Sequence, residues 1–286
     1  MASMREIKRR KGSIQSTAQI TKAMKLVSTV KFQKAKGRAE GSKPYFDKMY
    51  QTVASILAKS GNIEHPYLTA GSSPKKAVIV ITSNRGLAGG YNNNIVKLLM
   101  DSGMSKENVQ LYTVGRKGKD VLLRRGYSVA ADYSDAIEEP IYKDAMDIGN
   151  NVLTAFKNKE IGELYLAYTS FKNTIVHIPK LIKLLPIEDG GADKDSVKEK
   201  SVPMNYEPEA EEVLDSVIPK YVNSLIYGAL MEAAASENGA RMTAMDNATS
   251  NAEEMIDKLA LSYNRARQGA ITQEITEIVS GSEALA

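Results

Sequence analysis

Apolar residues near the end of the chain recur at alternating spacings of four and three residues. The repeat runs from Val217 to Ala270, and only Ser224, Asn238 and Thr249 among its members are neither apolar nor glycine. Its sixteen members are Val217, Tyr221, Ser224, Gly228, Met231, Ala235, Asn238, Met242, Met245, Thr249, Ala252, Ile256, Leu259, Tyr263, Ala266 and Ala270. Such a repeat forms the seam of a coiled coil. No proline follows Pro219, so the pattern predicts one long C-terminal helix with another helix along its seam.

The first 60 residues also favour one long helix. They contain a single proline, Pro44, and are rich in Ala, Lys, Met, Gln and Arg, which are good helix formers. Ile7, Ile14 and Ala18 fall on one face of this helix, whereas the apolar residues at 20–30 are spread around most of its circumference. The second distribution predicts that this part of the helix is enclosed on more than one side.

Between the two helices, short β-branched runs alternate with helical stretches. The run at 77–82 has the composition of a buried parallel strand. The elements predicted after it are a helix at 95–100, a strand at 109–114, a helix around 121–123, a strand at 127–131, a helix at 142–156 and strands at 164–171 and 174–178. This alternation predicts a small α/β domain with a mainly parallel sheet.

Together these elements predict an α/β protein in which a long antiparallel coiled coil of the N- and C-terminal helices carries an inserted Rossmann-like α/β domain. The expected boundaries are 1–60 for the first helix, 75–190 for the α/β domain, 191–208 for a charged linker and 209–286 for the last helix. A helix of about 65 residues is roughly 100 Å long, whereas a compact chain of this size has a radius of gyration of about 19 Å. We therefore expect an elongated molecule.

The charges of the two ends are opposite. Residues 1–40 carry eleven basic and two acidic side chains, whereas residues 207–286 carry five basic and fourteen acidic ones, within a formal net charge of +4 for the chain. The two segments either lie against each other or face different partners.

Composition excludes several classes of site. There is no cysteine and only His65 and His177 supply imidazole, so disulfides, thiolate catalysis and Cys- or His-rich metal centres are excluded. No apolar stretch is long enough to predict a membrane span. The two histidines have no Ser, Asp or Glu partner at a recognisable catalytic spacing, and we interpret both as structural.

Three segments could bind phosphate groups. The glycine-rich turn at 85–91 lies between a strand and a helix, where backbone N–H groups can hold phosphate; the alternative is a tight turn packed on its neighbours. The basic turn at 115–119 could contact phosphates or be a solvated connection. The basic N-terminal helix could bind nucleic acid or be a cleaved targeting peptide, but it lacks aromatic interleaving apart from Phe32 and continues past the length of such a peptide without a cleavage site.

Two terminal segments resemble one family. The stretch from Ile7, Arg10 and Ser13 through Gln19-Ile20-Thr21-Lys22-Ala23-Met24 to Leu26-Val27-Ser28 is similar to the N-terminal helix of the gamma subunits of bacterial F-type ATP synthases. The C-terminal stretch from Asn264-Arg265-Ala266-Arg267-Gln268 to Ile278-Val279-Ser280-Gly281 resembles the C-terminal signature of that family. The internal segments at 83–90 and 206–208 also match, in the same order along the chain. Asn84 and Ser282 stand where Asp and Ala are usual, and the cysteine-bearing insert of redox-regulated chloroplast members is missing.

The resemblance implies a non-catalytic rotor: the central shaft of a proton-translocating ATP synthase, which couples rotation of the membrane ring to ATP synthesis or hydrolysis on the beta subunits. It implies alpha, beta and epsilon subunits and the membrane c-ring as partners, with no cofactor, no nucleic acid and no direct insertion into the membrane. The expected location is peripheral, on the cytoplasmic face of a bacterial cell membrane.

The same resemblance implies partner-contact residues. Lys22 and Met24 match the motif that couples to an acidic loop of the beta subunit. Arg267 and Gln268 match positions that hydrogen-bond a beta-subunit loop, and Thr272 and Glu274 lie in a coupling segment expected near Met24. Tyr206 and Glu207 match the foot that meets the c-ring and the epsilon subunit. The alternatives are ordinary coiled-coil packing for Met24 and an intrahelical ion pair for Arg267.

Overall fold

The computed structural model describes residues 3–59, 65–69, 71–174, 176–187 and 210–283. Its helices are α1 (Met4–Lys59), α2 (Tyr91–Met100), α3 (Arg116–Arg124), α4 (Tyr142–Lys157) and α5 (Ala210–Glu283), and its strands are β1 (Lys76–Ile81), β2 (Val109–Val114), β3 (Ser128–Asp132), β4 (Glu163–Phe171) and β5 (His177–Leu185). Short 3₁₀ turns precede β2 and follow β3. The predicted terminal helices and the alternating α/β segment between them are confirmed.

The strands form a sheet in the order β3-β2-β1-β4-β5. The pairs β3–β2, β2–β1 and β1–β4 are parallel, and only β5 runs antiparallel, against β4. The mainly parallel sheet is therefore confirmed. The predicted strand at 174–178 is wrong in extent, since β5 covers His177–Leu185. Pro179 favours an early end to the strand, but β5 lies at the sheet edge, where a missing N–H is tolerated.

Strand β1 divides the core of the α/β segment into two layers. Its residues from Ala77 to Ile81 are at most 1% exposed, and successive side chains point to opposite faces. Ala77, Ile79 and Ile81 pack with residues of α4 and α5, such as Ile148 and Val222.

The opposite face of β1 meets the outer helices. Val78 and Val80 pack with Ile95 of α2 and Leu122 of α3. A strand covered on both faces needs a continuous apolar sequence, which explains why this run is the clearest strand signal in the chain.

The chain divides into two compact units, each of which contains part of α1 and part of α5. The first unit consists of Met1–Ser28 and Arg241–Ala286, and the second of Thr29–Ala240. In the first unit, the hydroxyls of Thr21 and Thr249 are 2.8 Å apart and Lys25 Nζ is 2.6 Å from Asp246 Oδ1. From the first contact to the second, the residue number rises from 21 to 25 on α1 and falls from 249 to 246 on α5, so the two helices are antiparallel.

In the second unit α1 and α5 are antiparallel as well. The ring of Phe32 lies 5.6 Å from that of Phe171 and beside Gly239, and the ring of Phe46 lies 6.1 Å from that of Tyr227. The predicted antiparallel coiled coil is therefore confirmed in each unit.

The 4-3 repeat of α5 matches the buried side of the helix. All sixteen members are buried or half-buried, and between residues 253 and 282 Ala260 is the only other described residue that is not exposed. On α1, Ile7, Ile14, Ala18, Thr21 and Ser28 follow the same spacing and are likewise not exposed. The repeat therefore marks the seam on both helices.

Candidate functional site

The predicted contact residues of α1 lie beside the seam of the first unit. Thr21 and Lys25 face α5 through their contacts with Thr249 and Asp246. Lys22 is exposed, and Met24 is half-buried. Lys22 is therefore available to a partner, whereas Met24 can contact both the seam and a partner.

Apolar side chains around Met24 point into solvent. Ile20, Leu26 and Val27 are each about 60% exposed in the first unit, and Val30 is 67% exposed in the second. The sequence predicts enclosure on more than one side for this stretch, and the seam covers only one. Large exposed apolar surfaces of this kind mark protein interfaces.

The predicted contact residues of α5 are exposed too. Arg267, Gln268, Thr272 and Glu274 all face solvent. The Thr272 hydroxyl donates to the backbone oxygen of Gln268 over 2.9 Å, which satisfies it within the helix. No described acidic side chain forms an ion pair with the Arg267 guanidinium, so the intrahelical pair that the sequence left open is not formed among these residues.

The last turns of α5 have no neighbouring helix among the described residues. Every residue with a described side chain from Ile271 to Ser282 is exposed, including Ile275, Ile278 and Val279. The register between Thr21 and Thr249 explains this exposure. Continued along two antiparallel helices, it brings Met4 at the start of α1 opposite Ala266.

The expectation that Thr272 and Glu274 lie near Met24 is wrong. The same register places Met24 beside Asp246, and Thr272 is 26 residues further along α5. At 1.5 Å per residue this is a separation of about 40 Å along the helix. The predicted contact residues therefore lie at two different levels of α5. Tyr206, Glu207 and the predicted linker lie outside the described residues.

The glycine-rich turn is held by its own side chains. The Asn92 side-chain oxygen accepts from the backbone N–H of Ser83 over 2.9 Å, and the Ser83 hydroxyl donates to the backbone oxygen of Arg85 over 2.6 Å. Asn84 donates to the backbone oxygen of Ser134 over 2.8 Å. Leu87 has a φ of 62° and is exposed. These contacts favour the tight-turn interpretation.

The N–H groups that begin α3 are already used. Arg116 N–H donates to the Asn84 side chain over 3.1 Å, Lys117 N–H to the Ser83 backbone oxygen over 3.0 Å and Gly118 N–H to the Thr82 hydroxyl over 3.0 Å. Phosphate binding at a helix N-terminus requires free N–H groups. The basic turn at 115–119 therefore offers no preformed phosphate site.

A cavity of about 300 Å³ opens beside this turn, and it is acidic. Its lining residues are Arg116, Asp132, Tyr133, Ser134, Asp135, Ala136, Asp144 and Asp147. Burial raises the pKa of Asp132, but hydrogen bonds from Lys119, Ser134 and Thr113 outweigh it and hold this pKa below its ordinary value. Four carboxylates would repel a nucleotide phosphate. Within the described residues, no three His, Asp or Glu side chains come together as a metal site.

Sequence reasoning missed the contacts that join the two helices. The seam pattern marks Thr249 as polar, but it does not reveal that Thr249 meets Thr21 or that Asp246 meets Lys25. Only the helix register brings these pairs together. None of the described helices has an apolar segment sufficient to cross a membrane.

Comparison with known proteins gives full-length matches. A family model described as ATP synthase matches residues 3–285. The ATP synthase gamma chain of Lachnoclostridium phytofermentans is 65% identical over 290 residues and is covered to 100%, as is this chain. The sodium ion specific ATP synthase gamma chain of Acetobacterium woodii is 44% identical over 297 residues, with 99% of this chain and 98% of that one covered. Among solved structures, a chain of the central stalk and c-ring of Tetrahymena thermophila mitochondrial ATP synthase matches with a TM-score of 0.59 and 26% identity, over 80% of this chain and 99% of that one.

Proposed function

The chain belongs to the gamma subunit family of F-type ATP synthases, and from this premise we propose that it is the central rotating shaft of such an enzyme. It is a non-catalytic subunit: ATP is made or hydrolysed on the beta subunits, and the shaft couples their conformations to rotation of the membrane ring. The partners are the alpha and beta subunits of the catalytic ring, the epsilon subunit and the c-ring.

The observation that carries this proposal is the exposed apolar surface on both long helices. The first unit leaves Ile20, Leu26 and Val27 of α1 and Ile275 and Ile278 of α5 uncovered. Each square ångström of apolar surface removed from water contributes about 25 cal/mol. A surrounding ring of subunits would cover such side chains on several sides, and a bearing requires an apolar contact without directional bonds.

We propose that the exposed polar residues supply specific contacts within this ring. Lys22 would meet an acidic loop of a beta subunit beside Met24, while Arg267, Gln268, Thr272 and Glu274 would contact beta subunits about 30–40 Å further along α5. Tyr206 and Glu207 would belong to the foot that meets the c-ring and epsilon. The boundaries 1–60, 75–190, 191–208 and 209–286 would then separate shaft, foot and linker. The complex would lie at the cytoplasmic face of a bacterial membrane.

Reconstitution tests the shaft function. The chain is mixed with the alpha and beta subunits of Lachnoclostridium phytofermentans, and the stoichiometry is measured by native mass spectrometry together with ATP hydrolysis. We expect one copy per three alpha and three beta subunits and hydrolysis that the isolated chain lacks. A chain that remains alone, or that hydrolyses ATP by itself, contradicts the proposal. Ion pumping by the membrane-bound enzyme, followed with protons and with Na⁺, tests the proposed proton coupling.

Met24→Lys tests the contact at the α1 site. A further cation next to Lys22 would bind an acidic beta-subunit loop too tightly and hinder its release, so ions pumped per ATP hydrolysed should fall at least about twofold while assembly persists. Thr17→Lys adds the same charge at an exposed position of the same helix and serves as the control. Equal pumping ratios for Met24→Lys and the unaltered chain would show that Met24 has no coupling role.

A further inference from the structure

The seam near Met24 contains a buried polar contact between the two helices. Thr21 and Thr249 are 9% and 8% exposed, and their hydroxyl oxygens are 2.8 Å apart. Both residues occupy positions of the 4-3 repeat, where apolar side chains are the rule. A polar pair at such a position usually specifies how helices align and contributes less to stability than an apolar pair.

The seam around this pair consists mainly of small side chains beside one long apolar side chain. Ala18 precedes Thr21 by one turn, Ala252 follows Thr249 by one turn, and Ser28 is the next buried seam residue of α1, whereas the buried Met245 precedes Thr249 by one turn. Alanine and serine have no long side chain to insert between residues of the facing helix. Apart from Met245, packing therefore opposes relative sliding or separation of the two helices only weakly at this level.

The nearby ion pair does not replace the hydroxyl contact. Lys25 Nζ and Asp246 Oδ1 are 2.6 Å apart, but the two side chains are 39% and 53% exposed. Water and salt screen a pair with this exposure, and such pairs contribute little to stability. The buried hydroxyl contact is the better candidate for a bond that holds the helices together.

The hydroxyl bridge can also open without leaving a buried donor unpaired. The Thr249 hydroxyl oxygen lies 2.8 Å from the Met245 backbone oxygen, and the Thr21 hydroxyl oxygen lies 3.1 Å from the Ala18 backbone oxygen. Each hydroxyl has one proton, so one threonine donates across the seam while the other donates within its own helix. Once the bridge opens, both can donate within their helices.

We propose that the bridge between Thr21 and Thr249 is a clasp that keeps α1 aligned with α5 beside Met24, so that Met24 and Lys22 move with α5 when the shaft turns. Thr21 and Thr249 are positioning residues, since they act through Met24 and Lys22. The inference rests on the proposed shaft function. It assigns the alignment to one hydrogen bond and not to side-chain packing.

Valine and serine substitutions separate the two explanations. Thr21→Val and Thr249→Val keep the shape and remove the hydroxyl, whereas Thr21→Ser and Thr249→Ser keep the hydroxyl and remove a methyl group. A clasp predicts that the valine variants are impaired and the serine variants resemble the unaltered chain. Packing alone predicts the opposite order. Thr17→Val is the matched control, because the exposed Thr17 bonds only within its own helix.

The alignment is measured with spin labels in the reconstituted complex. The chain has no cysteine, so Gln19→Cys and Asn251→Cys, both at exposed positions of the first unit, give one label on each helix. With either valine variant we expect an about fivefold larger population of label pairs outside the original distance range, the factor for loss of one hydrogen bond. The number of ions pumped per ATP should fall in the same variants.

The outcomes distinguish this inference from the proposed function. If the unaltered chain assembles and pumps, and the valine variants keep both the distance distribution and the pumping ratio while the serine variants do not, the clasp is wrong. The clasp is equally wrong if the valine variants, singly and together, behave as Thr17→Val. Failure of the unaltered chain to assemble would refute the shaft function, and the label distances in the isolated full-length chain would still test the clasp.

Discussion

A single glycine joins β2 to α3 where no side chain fits. Gly115 has a φ of 101°, and a Cβ there would overlap the backbone oxygen of Thr82. The Thr82 hydroxyl in turn donates to the Gly115 backbone oxygen over 3.0 Å and accepts from Gly118 N–H. This close approach is what lets the Thr82 hydroxyl accept from Gly118 N–H, one of the N–H groups at the start of α3.

Gly115→Ala should therefore be strongly destabilising. The added methyl group meets backbone atoms that cannot rotate away, and the positive φ is strained for alanine, so we expect a loss of about 3 kcal/mol in the free energy of unfolding. Urea denaturation followed by circular dichroism measures it. Gly12→Ala in α1 is the control, because a Cβ there has no neighbour within 4 Å; it should stabilise by roughly 0.5–1 kcal/mol. Similar midpoints for the two variants would contradict the predicted overlap.

The hairpin of β4 and β5 packs against α5 through the imidazole of His177, which forms no hydrogen bond of good geometry with any residue that the structure describes. Both ring nitrogens of His177 are buried. Its Cε1 would lie 3.1 Å from a Cβ at Gly239, and the ring of Phe171 is 6.5 Å away. Burial lowers the pKa of His177, and the backbone oxygen of Thr174 opposes only part of this shift.

This histidine should make the hairpin sensitive to acid. The folded state binds the His177 proton more weakly than the unfolded state. The contribution of the neutral imidazole to stability is therefore fully present above the ordinary pKa of 6.5 and is lost as the pH falls below that value. His177→Phe keeps an aromatic ring and removes the titration, so the melting temperature should fall less between pH 7 and pH 5 than in the unaltered chain. His177→Gln, polar but without titration, is the control for ring packing. Parallel pH profiles for all three chains would contradict this prediction.

Elements were predictable from sequence where one physical signal dominated. The limits of β2 match the predicted residues 109–114, because a short segment rich in β-branched and aromatic residues lies between Asn108 and Gly115, which favour turns. Helix α2 begins at Tyr91, four residues before the predicted start at 95. Asn92, Asn93 and Asn94 have low helix propensity, but Asn92 bonds to Ser83 and thereby joins the turn to the helix.

The candidate site was less predictable, since it depends on the helix register. The 4-3 repeat identifies the residues that face a partner helix, but a repeat of seven matches itself after each seven-residue shift. It therefore could not place Thr272 away from Met24. The pairing of Thr21 with Thr249 fixes the separation between Met24 and Thr272 along α5. Neither sequence segment, taken alone, indicates this pairing.

At the scale of the whole molecule, assembly with partner subunits should protect residues 271–282 of α5 from hydrogen exchange. In the isolated chain, the helix from residue 271 to 282 is exposed on all sides, and short unsupported helices are marginal in water. We expect hydrogen exchange near the rate of an unfolded peptide there, slowed at least about tenfold in the complex with alpha and beta subunits. Residues 221–237, which are mostly buried in the chain itself, should exchange slowly in both states. Unchanged exchange at 271–282 in an active complex would show that the ring does not cover this segment.

The two-sided packing of β1 determines where force can pass between the α/β segment and the long C-terminal helix. Ala77, Ile79 and Ile81 lie on the side of the sheet that carries α5, whereas Val78 and Val80 lie on the side that carries α2 and α3. Twisting of α5 therefore acts on the sheet face that carries Ala77, Ile79 and Ile81, and it also reaches the start of α2, because the Tyr91 hydroxyl donates to the Ala233 backbone oxygen over 3.2 Å. The exposed surface of α3, which packs on the opposite face of the sheet, is consequently the natural place to attach a bead or a fluorophore that must report rotation.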